Sequence, residues 1–158
     1  MMLATPELLT KFNLFQKLSE KDLEYLCVNS AVERHSRRSI IFKAGVMENR
    51  VCMLFEGRLQ GVDFTIDGRE VGLYFVEPGD YSGELYVFDE GTQTEHLIAL
   101  NASVVVLVSA DAIRRVAKAN PDIILSIGNK LASRVRQMAT QRSLLSVPNV
   151  LQRVCTQI

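Results

Sequence analysis

The apolar residues of this chain repeat with two different periods, and the changes of period mark its elements. In residues 6–30, Leu8, Leu9, Phe12 and Phe15 recur at helical spacing, and Leu18, Leu23 and Leu26 continue a core-facing stripe. Ser19, with Asp22 three residues on, is a short-chain version of the capping box, so a second helix is predicted to start there. From Ala31 to Ser109 the period falls to two. Val62, Phe64 and Ile66 alternate with Asp63 and Thr65, and Val71, Leu73 and Phe75 alternate with Glu70, Gly72 and Tyr74. This pattern predicts strands with those apolar rows on the buried face.

Turn residues separate the strands. Asp67-Gly68 is a hairpin signal, for which a type I′ turn with positive φ at both central residues is expected. Glu56-Gly57 and Glu77-Pro78-Gly79-Asp80 mark two more turns, the latter with Pro and Gly where they preset φ and tolerate positive φ. Short strands at such intervals indicate an all-β roll or sandwich, with the wholly apolar Val104–Val108 run deep inside it. Helical spacing returns from Asp111 to Ala119. Asn120 is then expected to cap a new helix that starts at Pro121 and runs to about Leu145, ~25 residues or roughly 37 Å.

That helix carries a legible seam. Ile124, Leu131, Val135, Met138 and Leu145 fall on alternating a- and d-like sites, with Gly128 and Arg142 in the two gaps and Lys130, Arg134 and Arg136 on other faces. The seam suits a two-helix coiled coil between subunits or packing on the chain's own roll. A helix that outreaches a small roll favours a homodimer. Ser146–Asn149 then breaks the helix, and Val150, Leu151, Val154 and Ile158 begin another apolar stripe.

Composition narrows the function classes. With 158 residues, 47% hydrophobic and 23% charged, the chain suits one soluble domain plus an extended element. No apolar run reaches the ~18 residues of a membrane span, and the first residues lack the pattern of a signal peptide. Three scattered cysteines suggest neither a disulfide framework nor a metal cluster, and a reducing cytoplasm fits them. The net charge is zero, but its distribution is uneven. From Glu70 to Asp111 eight carboxylates occur without one Lys or Arg, whereas Arg114–Arg153 holds eight basic residues against Asp122 alone. No nucleophile–base motif, metal-ligand spacing or phosphate-binding loop points to an enzyme.

The stretch Gly83-Glu84-Leu85-Tyr86-Val87-Phe88-Asp89-Glu90-Gly91, followed by Thr94-Glu95-His96, reads as a tight turn and one short helical turn leading into a strand. It is the candidate ligand site. Leu85, Tyr86 and Phe88 are read as roll packing and candidate pocket lining.

In order along the chain, Asn13-Leu14-Phe15, Leu18–Leu23, Ile41–Gly45, Phe55–Arg58, Asp67–Glu70, Pro78–Asp80, Gly83–Leu85 and Ala119–Ile123 carry a resemblance. Together they resemble the Crp/Fnr family of bacterial transcription regulators, specifically the cyclic-nucleotide-binding-like effector domain and dimerisation helix. The resemblance implies a mainly β fold with helices: a double-stranded β-helix (jelly roll) with N-terminal helices and a long C-terminal dimerisation helix. It divides the chain into a sensor domain (1–120), a dimerisation helix (121–146) and the start of a truncated winged helix-turn-helix domain (147–158). DNA would then be read only by a domain missing from this chain. The alternative is a stand-alone cyclic-nucleotide-binding-like module acting through a protein partner.

The resemblance also proposes site residues. Gly83 and Glu84 match the Gly-Glu pair that touches the ribose in cyclic AMP-binding members. The Arg-Ser pair that holds the phosphate is replaced by Thr94 and Glu95, and the helix residues that meet the base are replaced by Met138 and Ala139. The candidate ligand-binding set is therefore Gly83, Glu84, Leu85, Thr94, Glu95 and Met138. Losing a charge-assisted phosphate contact forfeits roughly 1.5–3 kcal/mol. A carboxylate within ~5 Å of a phosphate adds repulsion of about 3 kcal/mol at an effective dielectric near 20. Cyclic nucleotide is disfavoured, with Arg134 or Arg136 as candidate replacement charges, and the effector is an unknown small molecule. Three cysteines cannot supply the four ligands of an iron–sulfur sensor. Haem would need His96 or His35 as axial ligand, and Cys52 is a redox candidate without a partner thiol nearby in sequence.

Overall fold

The computed structural model describes residues 2–145, with side chains to residue 142; the expected helix-turn-helix start (147–158) and the Leu145 side chain lie outside the described residues. The chain divides into two compact units, Met1–Asn120 and Pro121–Ile158. In the first, α1 (Pro6–Leu9), a 3-10 turn (Asn13–Phe15) and α2 (Glu20–Val28) precede the strands. The Ser19 hydroxyl accepts the Asp22 amide at 3.2 Å, which is the N-cap read from the sequence. Phe12, Phe15 and Leu26 are fully buried.

Eight strands follow: β1 (Ser30–His35), β2 (Ile40–Phe42), β3 (Arg50–Glu56), β4 (Leu59–Phe64), β5 (Glu70–Val76), β6 (Tyr81–Ser82), β7 (His96–Ala99) and β8 (Ser103–Ser109). They form two antiparallel four-stranded sheets, ordered β1-β8-β3-β6 and β2-β7-β4-β5. This is the jelly-roll architecture expected from the resemblance. Phe42, Cys52, Leu54, Leu59, Val76, Leu97, Ala99, Val105 and Leu107 make one core cluster. The Val104–Val108 run pairs with both β1 and β3 and is buried apart from the half-buried Val104, as a two-sided central strand requires. α3 (Tyr86–Asp89) interrupts the strands, and α4 (Ala110–Ala119) closes the unit with Ser109 as its cap.

Two local expectations are corrected. Of the β4–β5 rows expected to be buried, only Val62 is, fully, alongside Leu59 and Val76; Phe64, Ile66, Val71, Leu73 and Phe75 are all exposed. β5 is an edge strand, and a bulge between Gly61 and Val62 shifts the register. A shift of one residue exchanges the faces of a strand, so the half-buried residue of the triplet is Tyr74, not its apolar neighbours. The hairpin turn is not type I′, because Gly68 has φ +83° but Asp67 is not in the positive-φ region. The Gly68 amide instead closes a turn on the Thr65 carbonyl at 2.9 Å, with Gly68 in the left-handed position that follows it. The Asn120 side-chain amide donates to Asp22 Oδ2 (3.0 Å) and the Val116 carbonyl (2.9 Å), onto α2 and α4.

The second unit contains α5 (Pro121–Leu145), with the bounds expected from its spacing. Along it Ile123 and Ile127 are buried, Ile124 and Leu131 half-buried, and Val135 and Met138 exposed.

Candidate functional site

The turn that carries the candidate residues is built from both sheets. β6 pairs with β3, placing Ser82 opposite Cys52, and Gly83 follows with φ +87°. A Cβ at Gly83 would lie 2.8 Å from the Phe42 ring and 3.4 Å from the Arg50 carbonyl oxygen, so neither its backbone conformation nor its surroundings suit another residue. Glu84 is completely buried. Its carbonyl accepts the Val87 amide at 3.1 Å as α3 begins. Burial, then the charges of Glu84 and Asp80, push the Tyr81 phenol up from its ordinary value.

α3 is a single turn, ended by Glu90 in the left-handed region at φ +52°. Val87 is its buried residue. Leu85 and Phe88, expected to pack into the roll, are exposed, because the turn presents only one position inward. Arg114 of α4 donates to the Tyr86 and Val87 carbonyls at 3.3 Å each and pairs with Glu90 at 3.5 Å and with Asp111.

Beyond α3 the chain is stapled to residues 44–47. The Gln93 amide donates to the Val46 carbonyl (2.9 Å), and the Gly45 amide donates to the Gln93 carbonyl (2.8 Å). The Ala44 amide donates to His96 Nδ1 at 3.3 Å, and the His96 ring meets Phe64 edge-on at 5.3 Å. His35 Nδ1 lies 2.9 Å from Ser39 Oγ and its Nε2 lies 2.9 Å from Glu33. Both histidines thus have structural partners for the nitrogens named. Cys52 is a fully buried core thiol, which burial and the nearby Glu33 charge push well above its ordinary pKa. A protonated, water-excluded thiol is a poor redox centre.

Gly83, Glu84 and Leu85 lie between β6 and α3, and Thr94 and Glu95 lead into β7, all within the first unit; the Tyr74 hydroxyl links Ser82, beside Gly83, to Glu95, and Met138 is an exposed residue of the second unit. Glu95 is half-buried and held in place. Tyr74 Oη donates to its Oε1 at 2.7 Å, and the Thr94 hydroxyl donates to its Oε2. A carboxylate only accepts, so Tyr74 spends its proton on Glu95, and Ser82, 2.7 Å from the Tyr74 oxygen, is the donor to it. The result is a Ser82→Tyr74→Glu95 chain of donors, drawn from β6, β5 and the entry to β7. Sequence reasoning missed Tyr74, Ser82 and Arg114. The signal for Tyr74 was a hydroxyl-bearing residue within an apolar triplet, but the face assigned to it was the wrong one.

Three of the roll's arginines pair with carboxylates. Arg38 pairs with Glu70 (2.7 Å), Arg50 with Glu48 (2.7 Å) and Arg58 with Glu77 (2.7 Å), and the Arg58 guanidinium lies 4.0 Å from the centre of the Phe75 ring. Among the described residues no group of His, Cys, Asp and Glu could hold a metal ion, and no helix is long and apolar enough to cross a membrane.

Comparison with known proteins gives a consistent picture. The family described as "Cyclic nucleotide-binding domain" matches residues 32–120. The cAMP-activated global transcriptional regulator CRP of Pasteurella multocida is 25% identical over 133 residues, which is 84% of this chain and 64% of that protein. The chain therefore spans about two thirds of that relative's length. The sensor domain of the transcriptional regulator DNR from Pseudomonas aeruginosa superimposes with TM-score 0.73 at 21% identity, covering 91% of this chain and 93% of that one. The regulatory subunit of a cAMP-independent protein kinase A from Trypanosoma brucei superimposes with TM-score 0.69 at 15% identity, covering 87% and 49%. These relatives are transcriptional regulators, sensor domains and regulatory subunits, and proteins named as cAMP-activated and as cAMP-independent share the fold. The chain belongs to the cyclic nucleotide-binding domain family and, within it, resembles the effector domain of Crp/Fnr-type transcriptional regulators.

Proposed function

We propose that this chain is the ligand-sensing and dimerising portion of a cytoplasmic Crp/Fnr-type transcriptional regulator that does not respond to cyclic AMP. It is not an enzyme. The effector is a small molecule bound at the Gly83–Glu95 turn, α5 joins two copies through Ile124, Leu131, Val135, Met138 and Leu145, and DNA is read by a part of the regulator outside this chain. In this division residues 1–120 sense, 121–146 dimerise and 147–158 open the DNA-reading domain.

The observation that carries the cyclic AMP part of the reading is the fixed Glu95 carboxylate. Had it been free to swing into water, the phosphate penalty would shrink. Its bonds to Tyr74 and Thr94 hold it in one orientation, which supports this reading. A lost charge-assisted contact and an added repulsion together lower affinity by about three decades or more. Titration calorimetry of the 158-residue chain with cyclic AMP and cyclic GMP tests it. The expected result is no heat of binding at micromolar ligand, and a micromolar dissociation constant would refute the reading.

A further inference from the structure

The two histidines differ in what an added proton would do to their hydrogen bonds. At His35, Nε2 faces the Glu33 carboxylate, which only accepts, and Nδ1 faces the Ser39 hydroxyl, which either donates or accepts. The neutral ring and the cation are therefore both satisfied there. At His96 the partner of Nδ1 is a backbone N–H, that of Ala44 at 3.3 Å, which only donates. The nitrogen that accepts it is bare, so the ring is neutral with its hydrogen on Nε2. A cationic ring would set two N–H groups against each other, and the Ala44 amide would lose its partner.

The position of this bond gives it a consequence. β2 and β7 pair as far as Phe42 and Leu97, and pairing resumes where Gly45 and Val46 bond to Gln93 and Met47 bridges Thr92. Between those stretches the His96 ring takes the Ala44 amide, a role that a carbonyl fills in a regular ladder. Segment 44–47 is thereby fastened to 92–96, which carries Thr94 and Glu95. The ring is half-buried and meets Phe64 edge-on. The charged residues of the segments around it are Lys43 and Glu48, Asp63 of β4, and Glu95 at the entry to β7. Glu48 pairs with Arg50, and Glu95 is bound by Tyr74 and Thr94. Among the described residues none of the four hydrogen-bonds or ion-pairs with the ring, whereas His35 has Glu33 at 2.9 Å.

We propose that His96 is a pH-sensitive latch: neutral, it holds 44–47 to 92–96 beside the candidate effector turn, and protonated, it releases them. The closed arrangement binds one proton fewer than the open one, so it gains as pH rises and is lost as pH falls. The interval is about pH 5–8, where histidine changes charge and other unperturbed side chains do not. The latch works without any effector, and with one bound it makes the setting of Thr94 and Glu95 depend on acidity.

The test follows the isotope-labelled 158-residue chain by NMR across that interval. Imidazole nitrogen shifts report the tautomer and protonation of each ring. Amide exchange rates, corrected for their intrinsic pH dependence, report the fastening. At the upper end His96 should show a bare Nδ1. As its ring takes up a proton, protection of the Ala44, Gly45 and Gln93 amides should fall by about fivefold or more, as the loss of one ordinary hydrogen bond implies. The fall should share the midpoint of the His96 ring, and the titration of His35 should leave those amides unmoved. In His96→Asn the side-chain oxygen sits where Nδ1 does and accepts at every pH, so protection should persist throughout.

A hydrogen found on Nδ1, a ring that stays neutral across the interval, or protonation without loss of protection at Ala44 would each overturn the latch. So would a pH response in His96→Asn equal to that of the wild type. The first three are read in the wild-type chain and hold even if the variant folds poorly. All four leave the sensor reading untouched.

Discussion

Arg114 offers the sharpest test of how the site is held. α3 is four residues long, far below what a helix needs to persist unaided, and all four of its carbonyls lack partners within the helix. Arg114 reaches from α4 to two of them. Arg114→Met removes the guanidinium but keeps most of the apolar stem, so lost packing contributes little. Good charged hydrogen bonds to carbonyls contribute roughly 1.5–3 kcal/mol, but both contacts here are 3.3 Å, at the weak end of the range. The pairs with Glu90 and Asp111 involve carboxylates that are 63% and 71% exposed, so they add well under 1 kcal/mol each. The sum is about 1–2 kcal/mol. For a chain of this size that lowers the melting temperature by about 3–7 °C. The loss should also be local. Amides of residues 86–90 are expected to exchange with solvent about tenfold faster, while those of β3 and β8 keep their protection. Asp111→Ala, which removes only an exposed partner, should cost less than half as much. A melting temperature within about 1 °C of wild type, with unchanged exchange across α3, would refute this account of Arg114.

Two other expectations follow from geometry and charge. Val135→Asp places a carboxylate in the α5 seam and should shift the sedimentation mass towards the monomer at micromolar protein; an unchanged mass would remove the seam from the dimer. Alkaline stability should also reflect the buried thiols. Burial raises Cys52 above the ordinary value of 9.0, and burial with the Glu7 and Glu24 charges raises Cys27 in the same direction. A group whose folded pKa is raised contributes stability that is fully present below its unfolded pKa and is lost as pH climbs towards the folded one. The urea midpoint should therefore be flat below the ordinary thiol value and decline above it, with a later and shallower decline in Cys52→Ala. A midpoint that stays level well above that value, or a Cys52→Ala profile identical to wild type, would contradict this.

Much of the fold was legible because it rests on local chemistry. The Ser19 cap, the Glu77–Asp80 turn and the five-residue apolar run of β8 are each specified within a few residues. The β4–β5 hairpin was misread because alternation defines two faces without saying which is inside. There the apolar row lies outward on an edge strand, after a bulge at Gly61, a glycine whose signal the alternation of apolar positions does not register. The site divides in the same way. Gly83, Glu84, Thr94 and Glu95 lie close in sequence and were proposed from the resemblance. Tyr74 reaches Glu95 from 21 residues away, and Arg114 reaches the Tyr86 and Val87 carbonyls from 28 and 27 away, which only the paired sheets and the packing of α4 on α3 reveal.

The hydroxyl of Tyr74 touches a residue of β6, in one layer of the roll, and the residue that leads into β7, in the other. It works as a rivet through both layers at the mouth of the sandwich. A disturbance at Glu95 reaches Ser82 of the other sheet through one shared hydroxyl, while the buried core keeps the two layers packed. Tyr74→Phe is thus the substitution that would remove this polar link between the layers while leaving the core that joins them in place.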